Sequence, residues 1–215
     1  MSKELTKKEF NDGDFRVTVF GSARIKKGDR VYKEVKSLAK MLGKRGFDVV
    51  TGGGPGLMEA ANSGHMEGNG KNGAHSIGIG IKLPQEQRLN IHLDIKKEFN
   101  RFSDRLDTFM SLSNAVVVAP GGVGTLVELF YTWQLVQVKQ ICNIPIILLG
   151  KQWPPLIKWL EKNPLKSGFF KKEDLKLLFL AKNAKEAVKM IDMAHQEYEK
   201  GNKNFCLNYK KYKLY

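Results

Sequence analysis

The sequence predicts an α/β protein of Rossmann-like, doubly wound type: a single domain on a mainly parallel sheet with helices on both faces. Three observations predict it. Short apolar runs alternate with stretches of helical period, the pattern of buried parallel strands joined by crossover helices. Two glycine clusters, residues 52–56 and 121–124, each stand directly after such a run and directly before a helical stretch. No repeat, low-complexity tract or linker divides the 215 residues, a length that suits one domain of roughly 100–200 residues.

Taken in order, residues 15–20 read as a first strand, closed by Gly21-Ser22. Residues 32–45 carry Val35, Leu38, Ala39 and Leu42 at helical spacing, with Gly46 to end the helix. Residues 47–50 form a short strand, followed by a helix from Leu57 to about Glu67 that Gly68 and Gly70 terminate. Residues 76–81 make a third strand whose glycines signal a close backbone approach. The stretch 84–97 is irregular, with a short strand near residues 91–95, and residues 99–112 form a helix. A buried strand at 115–119 then leads into a long apolar helix through about Val138. Further strands are expected at 145–149 and 177–180, with helices at 153–160 and 184–199. The domain therefore spans 15–199, with an N-terminal extension at 1–14 and a basic tail at 200–215.

Composition narrows the class. The formal charge is +14, yet the surplus lies before residue 50 and after residue 141, while residues 51–140 are balanced. The section with both glycine clusters is thus neutral, and the excess reads as a solvated lysine-rich surface. A nucleic-acid face would interleave arginines with aromatics, so nucleic acid is not the expected partner. Cys142 and Cys206 form no C-x-x-C pair, which fits a reducing cytoplasm. The polar N-terminus lacks the apolar core of a signal peptide, and no apolar run reaches the ~18 residues of a membrane helix.

The glycine clusters carry the chemistry. A strand-to-helix junction in such a sheet lies at the carboxyl edge, where ligands bind. Glycines let backbone N–H groups approach a phosphate, and the helix dipole favours the anion. Thr125 adds a hydroxyl in the first turn. The spacing at 52–56 is not G-x-G-x-x-G, and 121–125 lacks a P-loop lysine, which argues against redox and ATPase chemistry. Glu128 is the only charged residue between Asp107 and Lys139, so it belongs at a sheltered cleft edge or serves as a helix-capping acid. Arg105 lies mid-helix beside Arg101, Asp104 and Thr108, where an ordinary solvated position is the competing reading. His65, His75, His92 and His195 show no ligand spacing, and no metal or cofactor is expected.

These residues resemble a known family. Thr51-Gly52-Gly53-Gly54-Pro55-Gly56-Leu57-Met58-Glu59-Ala60-Ala61-Asn62 and Pro120-Gly121-Gly122-Val123-Gly124-Thr125-Leu126-Val127-Glu128 look like the two signatures of the LONELY GUY (LOG) family. The second signature is P-G-G-x-G-T-x-x-E, met at every fixed position, and Phe20-Gly21-Ser22-Ala23-Arg24 adds to the likeness, which runs from about Val17 to Ile191. The resemblance implies hydrolysis of the N-glycosidic bond of a nucleoside 5′-monophosphate, AMP or a cytokinin riboside monophosphate, to free base and ribose 5-phosphate. It implies Arg105 and Glu128 as the catalytic pair, with Gly121, Gly122, Gly124 and Thr125 cradling the phosphate. Ser22, Gly53, Gly54, Met58 and Asn62 would line the cleft. It also implies a homodimer, with the Arg105 and Glu128 helices and the apolar run 130–136 at the interface. Leu106 stands where the family commonly has lysine. The old label of lysine decarboxylase fails on chemistry, because nothing marks a Schiff-base lysine. A non-catalytic carrier of a phosphate-bearing nucleotide or cofactor is the competing class.

Overall fold

The structure, a computed structural model, describes residues 3–4, 14–70, 72–82 and 88–201. The chain runs β1 (Lys3–Glu4), β2 (Arg16–Phe20), α1 (Arg30–Gly43), β3 (Asp48–Thr51), α2 (Leu57–Asn69) and β4 (Ser76–Ile81). It continues through β5 (Ile95–Phe99), α3 (Phe102–Leu112), β6 (Ala115–Val118), α4 (Val123–Gln137) and β7 (Ile146–Leu149). Next come α5 (Trp153–Leu160), a π-helical turn (Glu161–Leu165), α6 (Lys172–Leu175), β8 (Leu178–Ala181) and α7 (Ala184–Glu199).

The strands form one sheet in the order β1-β5-β4-β3-β2-β6-β7-β8, and every pairing is parallel. The Rossmann-like doubly wound architecture is therefore present. Strand residues alternate between two cores because successive side chains point to opposite faces. Val17, Val19, Val49, Val117 and Ile147 join the core shared with α1, α2 and α7. Phe20, Val50, Val116, Val118 and Ile146 join the core shared with α3, α4 and α5. Burial on both faces is the reason these strands read as unbroken apolar runs.

Several boundaries differ from the sequence expectation. The strand placed near residues 91–95 is β5, starting at Ile95, and its Lys96, Lys97 and Glu98 are exposed. Its charges hid it, and its pairing with β4 delays α3 to Phe102. Residues Lys3–Glu4 of the expected N-terminal extension add an edge strand beside β5. The expected basic tail falls outside the described residues beyond Gly201.

Gly68 does not terminate α2, which continues to Asn69. Gly64 and Gly68 instead face α1, where an added Cβ would collide with the carbonyl oxygens of Lys36 and Lys40. The two helices touch backbone to backbone there. Gly64→Ala gains about 1 kcal/mol in helix propensity, but must push α1 away from α2. We expect a net loss of about 1–3 kcal/mol, read as a lower urea midpoint at unchanged slope.

Candidate active site

The strand order places the site. From β2 the chain winds one way through β3, β4 and β5, then returns to β6 on the other side of β2. The reversal opens a crevice at the carboxyl ends of β2 and β6, the usual ligand position in such sheets. Both glycine junctions, β3–α2 and β6–α4, flank this crevice at one edge.

Ser22 joins the two junctions. Its N–H donates to Pro120 O at 3.1 Å, and its carbonyl accepts from Leu57 N–H at 2.9 Å. Its Oγ accepts from the Arg24 amide at 3.1 Å. Gly56 makes this closure possible: φ is +68°, and a Cβ would strike the Ser22 carbonyl. The resulting cleft has a volume of about 510 Å³, and Ser22, Met58, Arg105, Gly122, Gly124, Thr125 and Glu128 are among its lining residues.

Arg105 and Glu128 meet in this cleft. Arg105 is only 8% exposed, so the reading of it as a solvated surface arginine does not hold. Its Nε–H donates to the Ile79 carbonyl at 2.8 Å, and its guanidinium lies 5.0 Å from the Phe109 ring centre. Nη1 approaches Glu128 Oε1 at 3.5 Å. Gly52 supplies the space, since a Cβ there would collide with Nη2. Glu128 does not cap its helix: α4 begins at Val123, and Glu128 stands in its second turn, past the amides a cap would satisfy. Burial pushes the Glu128 carboxyl up to about 7, with the Arg105 charge acting in the opposite sense. Burial likewise lowers the Arg105 guanidinium, opposed by Glu128, yet an arginine remains protonated at neutral pH. The pair is thus a fixed cation beside a carboxyl able to exchange its proton near neutrality.

The two glycine loops differ in what they offer. In α4 no side chain caps the first turn, so the amides following Gly122 are available to an anion. Gly121 is placed otherwise than expected: its N–H donates to Gln152 Oε1 at 3.0 Å, and its carbonyl accepts from Gln152 Nε2 at 2.8 Å. Its lack of a Cβ makes room for the Thr125 side chain. The first loop is largely committed inward. Gly53 N–H donates to Thr51 Oγ1 at 2.9 Å, and the Asn90 side-chain amide donates to the carbonyls of Gly53 and Gly54 at 2.9 and 3.0 Å.

Gly53, Gly54 and Asn62, expected along the cleft, are buried behind it. Asn62 is fully buried and bonds Thr51, Ser76 and Asn90, because an amide on the inner face of α2 must find partners in the core. The interface run 130–136 also divides. Thr132, Trp133 and Val136 are buried within the chain, whereas Phe130 is exposed. Sequence reasoning named Gly52 in the first glycine cluster but missed Phe109, Asn90 and Gln152 as supporting residues. Gln152 carried no signal.

A second cleft of about 550 Å³ lies by α1 and α2, lined by Lys27, Lys33, Lys36 and Glu67 among others. Lys27 there pairs with Glu59 at 2.7 Å and Lys36 with Glu67 at 2.5 Å, so these charges are already answered. Among the described residues no group of three or more His, Cys, Asp or Glu side chains could hold a metal ion. No described helix is long and apolar enough to cross a membrane.

Fold and site together define a doubly wound α/β protein with a sheltered Arg–Glu pair at the sheet's switch point. The chain belongs to the family described as possible lysine decarboxylase, the LOG family, whose pattern matches residues 58–191. It is similar to a probable cytokinin riboside 5′-monophosphate phosphoribohydrolase of Oryza sativa subsp. japonica. The two are 31% identical over 195 residues, which is 86% of this chain and 75% of the relative. It is also 29% identical over 147 residues to a pyrimidine/purine nucleotide 5′-monophosphate nucleosidase of Escherichia coli K12, covering 62% of this chain but 30% of that protein. Among solved structures, a molybdenum cofactor binding protein from Rippkaea orientalis superposes with a TM-score of 0.62 at 20% identity. That match covers 83% of this chain and 96% of the other, and it shows a shared fold.

Proposed function

We propose that this protein hydrolyses the N-glycosidic bond of a nucleoside 5′-monophosphate, releasing the free base and ribose 5-phosphate. The carrying observation is the buried Arg105–Glu128 pair, 3.5 Å apart, beside the uncapped N-terminus of α4. The 5′-phosphate binds the α4 amides next to Gly122, Gly124 and Thr125, with Ser22 and Met58 on the opposite wall. The sugar then lies against Glu128. As the C1′–N bond breaks, its electron pair leaves with the base and positive charge develops on the ribose. Ionised Glu128 stabilises that charge and takes a proton from the attacking water, and the departing base regains one. Arg105 holds the carboxylate in place and offers its remaining N–H groups to substrate oxygens. The names of the rice and E. coli relatives support this class of reaction.

The working form in this reading is a cytoplasmic homodimer. Phe102, Val123, Val127 and Phe130 on α3 and α4 are exposed apolar residues, the first two lining the cleft, which suits a second copy.

Incubation with AMP, followed by chromatography, is expected to yield adenine and ribose 5-phosphate in equal amounts. The solved relative named as a cofactor-binding protein favours one other reading, a non-catalytic carrier. Retained AMP binding without release of base from any monophosphate would establish the carrier and refute the hydrolase.

A further inference from the structure

Gln152 ends the loop after β7 and reaches Gly121, in the loop before α4. Its side-chain amide closes a two-bond ring with one residue's backbone, accepting from Gly121 N–H at 3.0 Å and donating to Gly121 O at 2.8 Å. Both peptide planes flanking Gly121 are held by that ring. A glycine has no Cβ to restrict its backbone, so an external brace has more to fix here than at any other residue type.

The brace is itself anchored. Trp153, the next residue, is fully buried and its Nε1–H donates to Leu149 O at 3.1 Å. Gly150 N–H donates to Ala181 O at 2.9 Å, fixing the loop to β8. Gly150 has φ +98°, and a Cβ there would come 3.6 Å from the Pro120 ring, so this loop runs alongside the start of the phosphate loop.

We propose that Gln152 is a positioning residue for phosphate recognition: it aims the amides that follow Gly121 at the 5′-phosphate without touching substrate. This rests on the phosphate-binding reading given above. A phosphate gains from several N–H donors only when they converge, so loosening one peptide plane weakens the whole set.

The test compares the parent with Gln152→Met, which keeps length and shape but makes neither bond, and with Gln152→Glu, which can accept from Gly121 N–H but cannot donate to its carbonyl. For Gln152→Met the dissociation constant of ribose 5-phosphate, and KM for AMP, are expected to rise by about tenfold, since the two bonds lie within the protein and binding loses only the loop order they supply. The fall in kcat is expected to be much smaller; the melting temperature should fall by a few degrees, because both bonds exist without ligand. Gln152→Glu is expected to bind ribose 5-phosphate more weakly still, and raised salt should recover part of that loss by screening the added charge. Parent-like ribose 5-phosphate binding in Gln152→Met would overturn the inference, as would a loss confined to kcat. A parent protein that neither binds ribose 5-phosphate nor cleaves AMP would instead overturn the nucleotide reading itself, and the inference with it.

Discussion

Replacing Glu128 by glutamine is expected to reduce kcat/KM for AMP by about 10²–10⁴-fold, the usual contribution of a positioned acid–base group, while making the protein more stable at pH 8. The two effects share a cause. Burial holds the folded carboxyl near 7, against an ordinary value of 4.5. Between those values the folded state binds more protons than the unfolded state. Stability therefore falls as pH rises from about 4.5 to about 7 and stays lower above that. Glutamine cannot ionise, so the variant escapes a cost of up to about 3 kcal/mol at pH 8 and gains nothing at pH 4. Urea denaturation at the two pH values measures this. In the parent, kcat/KM should rise with pH through an apparent value near 7, because the ionised form does the work. Parent-like turnover in the variant, or a stability difference independent of pH, would remove Glu128 from the reaction.

The next largest effect is expected at Arg105. Arg105→Met should lower kcat/KM by about 10²–10³-fold, as for loss of one fixed electrostatic donor, and should also destabilise the fold. The Glu128 carboxyl loses the one charge that opposes its desolvation, a cost that protonation of the carboxyl limits near neutral pH and that grows at higher pH. The Ile79 carbonyl, which accepts from Nε at 2.8 Å, also loses its donor. Without the Arg105 charge the Glu128 carboxyl rises further, so the pH profile of the residual activity should shift upward. Arg105→Lys is not expected to restore activity, since a lysine cannot both reach Ile79 O and lie across the Phe109 ring. Thermal melting and a pH–rate profile of both variants test this. Full activity with an unmoved profile would make the arginine purely structural. The double variant Arg105→Met/Glu128→Gln should recover part of the stability lost at pH 8, because no buried carboxyl is then left to ionise without the guanidinium.

Element type was legible along most of the chain because local chemistry states it. Buried parallel strands such as β6 and β7 are continuous apolar runs, and α1 and α7 repeat their apolar residues at helical spacing. β5 was misplaced because its charged residues obey pairing with β4 rather than any apolar pattern. Gly68 was misread for a related reason. A glycine inside a helix looks like a terminator until a second helix is seen resting on it.

The site divides in the same way. Arg105 and Glu128 could be named from motif and isolation, but their meeting depends on α3 and α4 flanking one crevice. The first glycine loop shows the limit clearly. Its composition matches an anion cradle, yet much of its hydrogen bonding is turned inward to Thr51 and Asn90. Composition reports that a backbone can approach a ligand. It does not report which amides remain unpaired.

Read from residues alone, the chain already specifies a parallel α/β sheet, two strand-to-helix junctions at one edge, and an acid alone in an apolar helix. These follow from properties of neighbouring residues: period, isolated charge and glycine before a helix. The strand order around β2, the burial that carries Glu128 to about 7 and the Gln152 brace on Gly121 arise only on folding. Each joins residues that are distant in sequence, and desolvation and hydrogen-bond pairing belong to the packed surroundings rather than to the residue.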